Sequence, residues 1–145
     1  MDKIKIKLTR PSSIMPLRAT DGSAGYDVCA AIDTPMRVEQ GQITPIPTGV
    51  AIELAEGTAA LMLGRSGLGC KHGVLMANGV GLIDSDYRGE LSAYLTCLKS
   101  EGYTIQPQER IAQLVIIPVL TPSLEVADEL GDTDRGTGGF GSTGR

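Results

Sequence analysis

The chain has 145 residues, a net charge of −4, 41% apolar residues and only 3% aromatics. These values fit one domain with an aliphatic core of Ile, Leu, Val, Ala and Met, and they exclude a wholly disordered chain and a collagen-like repeat. The acidic balance argues against stable nucleic-acid binding, which needs a basic face to neutralise phosphates.

Residues 3–8 (Lys-Ile-Lys-Ile-Lys-Leu) alternate strictly, which predicts a half-buried strand with Ile4, Ile6 and Leu8 toward the core. Pro11 and Pro16 then interrupt regular structure. Short aliphatic segments follow at 26–32, 43–54, 58–63, 73–76, 80–83, 91–98 and 110–120, each bounded by Gly, Pro, Asp or Ser. Many short strands with frequent turn signals predict an all-β fold, an antiparallel sandwich or barrel. A short helix is expected near 66–71 with Ser66 as its N-cap. Residues 123–130 read as one or two helical turns, although Leu124 and Val126 alternate equally well as a strand. The later half of 110–120 is apolar on both faces, which fits burial between subunits or a doubly covered central strand. Residues 1–131 form the predicted β domain. The remainder, 132–145, reads as a mobile tail, because Gly131–Arg145 holds six of the 19 glycines and a single large apolar residue, Phe140.

The N-terminus lacks the apolar stretch of a signal peptide, and no run approaches the ~20 apolar residues of a membrane span. Cys29, Cys70 and Cys97 are widely spaced and only His72 could join them, so a structural zinc site lacks ligands. Free thiols in a reducing, cytoplasmic setting are the expectation.

Three segments could carry chemistry. Gly64–Gly73 (Gly-Arg-Ser-Gly-Leu-Gly-Cys-Lys-His-Gly) superficially suggests a phosphate loop, but Cys70 separates the last glycine from Lys71 and no Ser or Thr follows. Its small residues still expose backbone N–H groups, and Arg65, Ser66 and Lys71 add donors for an anion. Residues 136–141 match Gly-x-Gly-x-x-Gly formally, yet they open no βαβ unit. Arg135 before them and Phe140 among them suggest an anion clamp and a stacking lid. Asn78–Glu90 reads as strand, turn, strand through Asp84-Ser85-Asp86. That is either an ordinary hairpin or a carboxylate beside glycines that let a ligand approach the backbone.

Taken in order, these segments resemble the five motifs of the trimeric dUTPase family. They are Ala24-Gly25-Tyr26-Asp27; Gly64-Arg65-Ser66-Gly67-Leu68 with Lys71 and Gly73; Gly81 to Gly89; Glu109-Arg110-Ile111-Ala112-Gln113-Leu114; and Arg135 to Gly144. Gly64 stands where the family often has proline. The resemblance implies a jelly-roll-like β fold, a homotrimer with active sites between subunits, and Mg²⁺-assisted hydrolysis of dUTP to dUMP and pyrophosphate. It implies that Asp84 activates the attacking water, that Asn78 and the backbone around Gly81, Leu82 and Ile83 read uracil, and that Tyr87 packs under the deoxyribose. Arg65, Ser66, Gly67 and Gln113 would bind phosphates, with Arg110 in support. Asp27 would hold the hydrated metal indirectly. Arg135, with Gly138 and Gly139, would grip the γ-phosphate side, and Phe140 would stack over the base. A dCTP deaminase on the same fold and a non-catalytic dUTP-responsive regulator are the competing readings. The former needs a further acid/base carboxylate near the base, and the presence of both Asp84 and the arginine-bearing tail argues against the latter.

Overall fold

The computed structural model describes residues 3–139. Among them eleven strands form: β1 (Lys5–Leu8), β2 (Tyr26–Cys29), β3 (Met36–Val38), β4 (Thr44–Pro47), β5 (Val50–Glu53), β6 (Thr58–Gly64), β7 (Val74–Met76), β8 (Gly81–Ile83), β9 (Ser92–Cys97), β10 (Tyr103–Ile105) and β11 (Arg110–Pro118). They assemble into four small sheets, β1-β5, β10-β3, β2-β11-β6-β8 and β4-β9-β7, and every strand pairing is antiparallel. The result is the expected all-β, jelly-roll-like arrangement. Among the described residues no helix is long and apolar enough to cross a membrane.

The core is aliphatic, as composition requires. Val28, Val38, Ile46, Val50, Leu95, Ile105, Ile111 and Leu114 are almost wholly inaccessible. Thr48 is the one polar side chain buried with them among the described residues. Its hydroxyl donates to Leu91 O at 2.7 Å and accepts from Val50 N at 3.3 Å, so it is satisfied. The neighbouring Gly49 has φ +68° and splits the predicted 43–54 segment into β4 and β5. A Cβ on Gly49 would run into Ser13 and Ala31, so glycine is required there for space as well as conformation.

Several expectations are corrected. Ile4 and Leu8 are exposed (37% and 47%), and only Ile6 packs at the core margin, because β1 pairs with β5 alone and lies at the rim. The short helix exists, but Ser66 does not cap it. Residues 66–67 are already helical, the segment widens to π-type over Leu68–His72, and Gly73 ends it in the left-handed conformation. Residues 123–130 form neither helix nor strand. Leu124 and Val126 stand 96% and 98% exposed, so no packing selects either form. β3 and β10 were not foreseen, since three-residue strands carry too little period-two pattern to read. β11 is a central strand between β2 and β6. Ile111, Ala112 and Leu114 are buried, whereas Val115 to Ile117 remain half-buried.

Candidate active site

The first cleft is built by the turn between β7 and β8 and the turn after β8. At Asn78-Gly79-Val80 the chain reverses tightly: Gly79 N donates to Met76 O at 3.0 Å and Val80 N to Asn78 O at 2.8 Å. β8 then pairs with β6, with Gly81 opposite Met62, Leu82 opposite Leu61 and Ile83 opposite Ala60. It is an edge strand, so one side of its backbone stays free to hydrogen-bond a ligand. Asp84 is exposed at the strand's end and opens a turn in which Tyr87 N donates to Asp84 O at 3.2 Å. Arg88 braces this turn by donating to Ser85 O (2.6 Å) and Tyr87 O (2.9 Å). The Tyr87 hydroxyl donates to Glu90 O at 3.1 Å, so the ring folds back across Gly89. Asn78, Gly81, Leu82, Ile83, Asp84 and Tyr87 thus surround one cleft of about 250 Å³, with Met62, Met76, Glu90 and Tyr94 completing its wall. The cleft has an apolar floor, a polar backbone edge and one exposed carboxylate. That combination suits a flat heterocycle carrying a reactive group at its far side.

A second cluster lies where β2, β6 and β11 end together. Asp27 accepts from Arg65 Nε at 3.1 Å through one carboxylate oxygen and from Arg110 at 3.0 Å through the other. Arg65 also donates to Arg110 O at 3.2 Å. Two guanidiniums against one carboxylate leave net positive charge, which is what a phosphate group needs. A bulge makes this possible. The β11–β2 register shifts between Arg110 and Ala112, so Arg110 lies opposite Cys29 while Gln113 lies opposite Asp27. Residues three apart on a regular strand point to opposite faces, and the extra residue, Ile111, returns both Arg110 and Gln113 to the Asp27 side. Cys29 sits beside this cluster. Burial, then the Asp27 charge, push its thiol up.

The two clusters are apart within one chain. Asp84 follows Ile83, which pairs with Ala60 of β6, whereas Arg65 lies five residues beyond Ala60, just past the end of the strand. At about 3.3 Å per residue that is roughly 16 Å of strand. Ser66 and Arg65 line a second, largely apolar cleft of about 460 Å³ with Gly69, Cys70, Val74, Leu75 and Met76, the last shared with the first cleft, and Gly67 lies in the helix beside it. Arg135 lies in an exposed turn, followed by half-buried Gly138 and exposed Gly139, with Gly138 N donating to Arg135 O at 3.1 Å, and the three contribute to neither cleft. Phe140 lies outside the described residues. Glu90 and Tyr94 line the first cleft without having been foreseen. Glu90 carries a signal in hindsight, since it directly follows the hairpin glycine.

No group of three or more metal-binding side chains occurs among the described residues. Asp27 uses one lone pair on each oxygen for a guanidinium, and a carboxylate has about four acceptor positions. The residues therefore do not form a protein cage for Mg²⁺. Their chemistry fits a hydrated ion brought in by a polyphosphate, whose waters the remaining lone pairs of Asp27 could accept from.

A jelly-roll-like fold with a base-sized cleft on an edge strand and paired arginines elsewhere defines a nucleotide-handling protein. The family follows from comparison. The dUTPase family model matches residues 12–144, and the chain belongs to the dUTPase family. Relatives named deoxyuridine 5'-triphosphate nucleotidohydrolase include one from Leptothrix cholodnii, 51% identical over 99% of this chain and 97% of its own length. Another, from Burkholderia cenocepacia, is 49% identical over 98% and 97%. Among solved structures, a mutant of the phage 80alpha dUTPase superposes with a TM-score of 0.88 at 30% identity, covering 97% of this chain and 98% of that one. A second mutant of the Staphylococcus bacteriophage 80alpha enzyme, solved with dUpNHpp, gives 0.87 at 28% identity over the whole of both chains. A phage phi11 relative, 25% identical with a TM-score of 0.81 over 88% of this chain and 98% of that one, was solved for the coordination of a structural Mg(II) ion.

Proposed function

We propose that the chain hydrolyses dUTP to dUMP and pyrophosphate in the cytoplasm, limiting uracil in DNA and supplying dUMP for thymidylate synthesis. The observation that carries the reading is the exposed Asp84 carboxylate at the end of an edge strand whose free backbone side lines a base-sized cleft. Asn78 and the backbone of Gly81, Leu82 and Ile83 bind the uracil edge. Held at that edge, the base has little room for thymine's methyl group. Tyr87 packs under the deoxyribose and excludes a 2′-hydroxyl.

Asp84 orients a water and takes its proton as the water oxygen attacks the α-phosphorus. The bond from that phosphorus to the α–β bridging oxygen breaks, and pyrophosphate leaves with the electron pair. Displacement at phosphorus asks mainly for positioning and charge neutralisation. Arg65, Ser66, Gly67 and Gln113 supply donors to the phosphates, with Arg110 and Asp27 setting the arginines' geometry. Asp27 would hold, through water, a Mg²⁺ carried by the triphosphate, which would supply charge neutralisation at the phosphate oxygens.

The roughly 16 Å from Ala60, which pairs with Asp84's neighbour Ile83, to Arg65 supports a homotrimer in which one subunit supplies the carboxylate and base cleft and a neighbour the arginine cluster. The exposed Leu120, Leu124, Val126 and Leu130 supply apolar surface for such an assembly. Residues 132–145 act as a tail that closes over the nucleotide, with Arg135, Gly138 and Gly139 on the phosphates and Phe140 over the base. Pyrophosphate release measured with dUTP, dTTP, dCTP and UTP in the presence of Mg²⁺ tests this reading. Strong preference for dUTP is expected, and equal rates on all four contradict it.

A further inference from the structure

Glu90 is the one acidic side chain besides Asp84 in the wall of the base cleft, and its carboxylate points away from the cleft into the frame of the fold. Oε1 accepts from Arg10 Nε at 2.6 Å and from Gly49 N at 3.0 Å. Arg10 lies just after β1, and Gly49 is the turn between β4 and β5. These two segments are themselves locked together: Thr9 N and Ser13 Oγ both donate to Gly49 O at 2.8 Å, and Ser13 Oγ accepts from Arg10 N at 3.0 Å. The carboxylate therefore ties the exposed hairpin 84–90 to a rigid corner. At the other end of the same residue, the Glu90 carbonyl holds the Tyr87 hydroxyl at 3.1 Å. Tyr87 is 46% exposed, and its ring needs that tether to keep one position.

We propose that Glu90, latched by Arg10, is a positioning residue for Tyr87 and sets how sharply the cleft distinguishes a 2′-deoxyribose from a ribose. This rests on the reading that Tyr87 packs against the sugar. Releasing the latch lets the Glu90 backbone and the tethered phenol shift together, widening the space beside the sugar's second carbon. The chemistry at phosphorus, led by Asp84, is not in contact with the latch.

The test compares kcat/KM for dUTP and UTP in the full-length Mg²⁺-loaded enzyme and in Glu90→Ala, Glu90→Gln, Arg10→Ala, Arg10→Lys and Tyr87→Ala. The dUTP-to-UTP ratio cancels any loss of folded protein, so a purely structural effect does not move it. Expected is a fall in that ratio of about tenfold or more for Glu90→Ala and Arg10→Ala, carried mainly by KM, with partial recovery in Glu90→Gln and Arg10→Lys. A wild-type ratio in both Glu90→Ala and Arg10→Ala overturns the proposal. If Tyr87→Ala lowers the ratio in that case, the sugar reading of Tyr87 stands and only the latch fails. If Tyr87→Ala also leaves it unchanged, the reading of Tyr87 falls with it.

Discussion

Gln113 faces Asp27 across β11 and β2 because Ile111 is one residue too many for a regular ladder. The bulge turns an odd spacing into a shared face, and it is what lets Arg110 reach the same carboxylate that holds Arg65. Charge and geometry at this end of the sheet therefore depend on Asp27 more than on any single arginine. Asp27→Ala is expected to raise the KM for dUTP by about tenfold or more, since both guanidiniums lose the partner that aims them. It should also lower the unfolding free energy by about 1–3 kcal/mol in urea titrations at fixed protein concentration. Unchanged KM and unchanged stability would separate Asp27 from the phosphate site.

Glu90 makes acid stability testable. Burial favours its neutral form, but the bonds from Arg10 and Gly49 N outweigh that, and the carboxyl is held below its usual 4.5. A carboxyl lowered on folding stabilises the native state above its unfolded-state value, and the contribution disappears as pH falls through the lowered one. Glu90→Gln should therefore be less stable than wild type near neutrality. Its loss of stability from about pH 5 to about pH 3 should be shallower, because one proton-linked group is gone. Parallel pH curves for the two proteins would contradict the pairing.

Gly49 serves the same corner. Gly49→Ala places a methyl group against Ser13 at a backbone of φ +68°. Left-handed backbone alone costs about 1–3 kcal/mol for such a residue, and the clash adds to it. A drop in midpoint of several degrees in thermal unfolding is expected, with loss of the Ser13–Gly49 bond. A variant as stable as wild type would show that the corner relaxes freely.

Among the described residues the last strand ends at Pro118, and beyond it Val119 N donates to Gly57 O at 2.9 Å. Truncation after Gly131 should therefore leave the far-ultraviolet circular dichroism and the oligomer mass unchanged while removing most dUTP turnover. Failure of the truncated chain to fold would make the tail structural.

Much of the fold was readable because its cause is local. Alternating or aliphatic runs bounded by Gly, Pro and Asp mark β1, β2, β4 to β9 and β11, and the motif residues Asn78 to Tyr87 do converge on one cleft. What stayed hidden depends on pairing. The three-residue β3 and β10 exist because they find each other. The bulge at Ile111 is a property of two strands and leaves no mark in one. The arginines around Asp27 come from positions 65 and 110, which no spacing links. Residues 123–130 carry an amphipathic pattern that suits helical turns or a strand, but among the described residues Leu124 and Val126 stay exposed, so no packing selects either.

The central claim is that Asp84 and Arg65 act in one site from different subunits. Purified Asp84→Asn and Arg65→Ala proteins, each of very low activity, should be unfolded, mixed in equal amounts and refolded together. Random trimers would then pair an intact Asp84 with a neighbour's intact Arg65 in about a quarter of sites, so dUTP turnover should recover to roughly that fraction of wild type. Activity no greater than that of the two variants assayed separately would place both residues in the same chain's site and contradict the account.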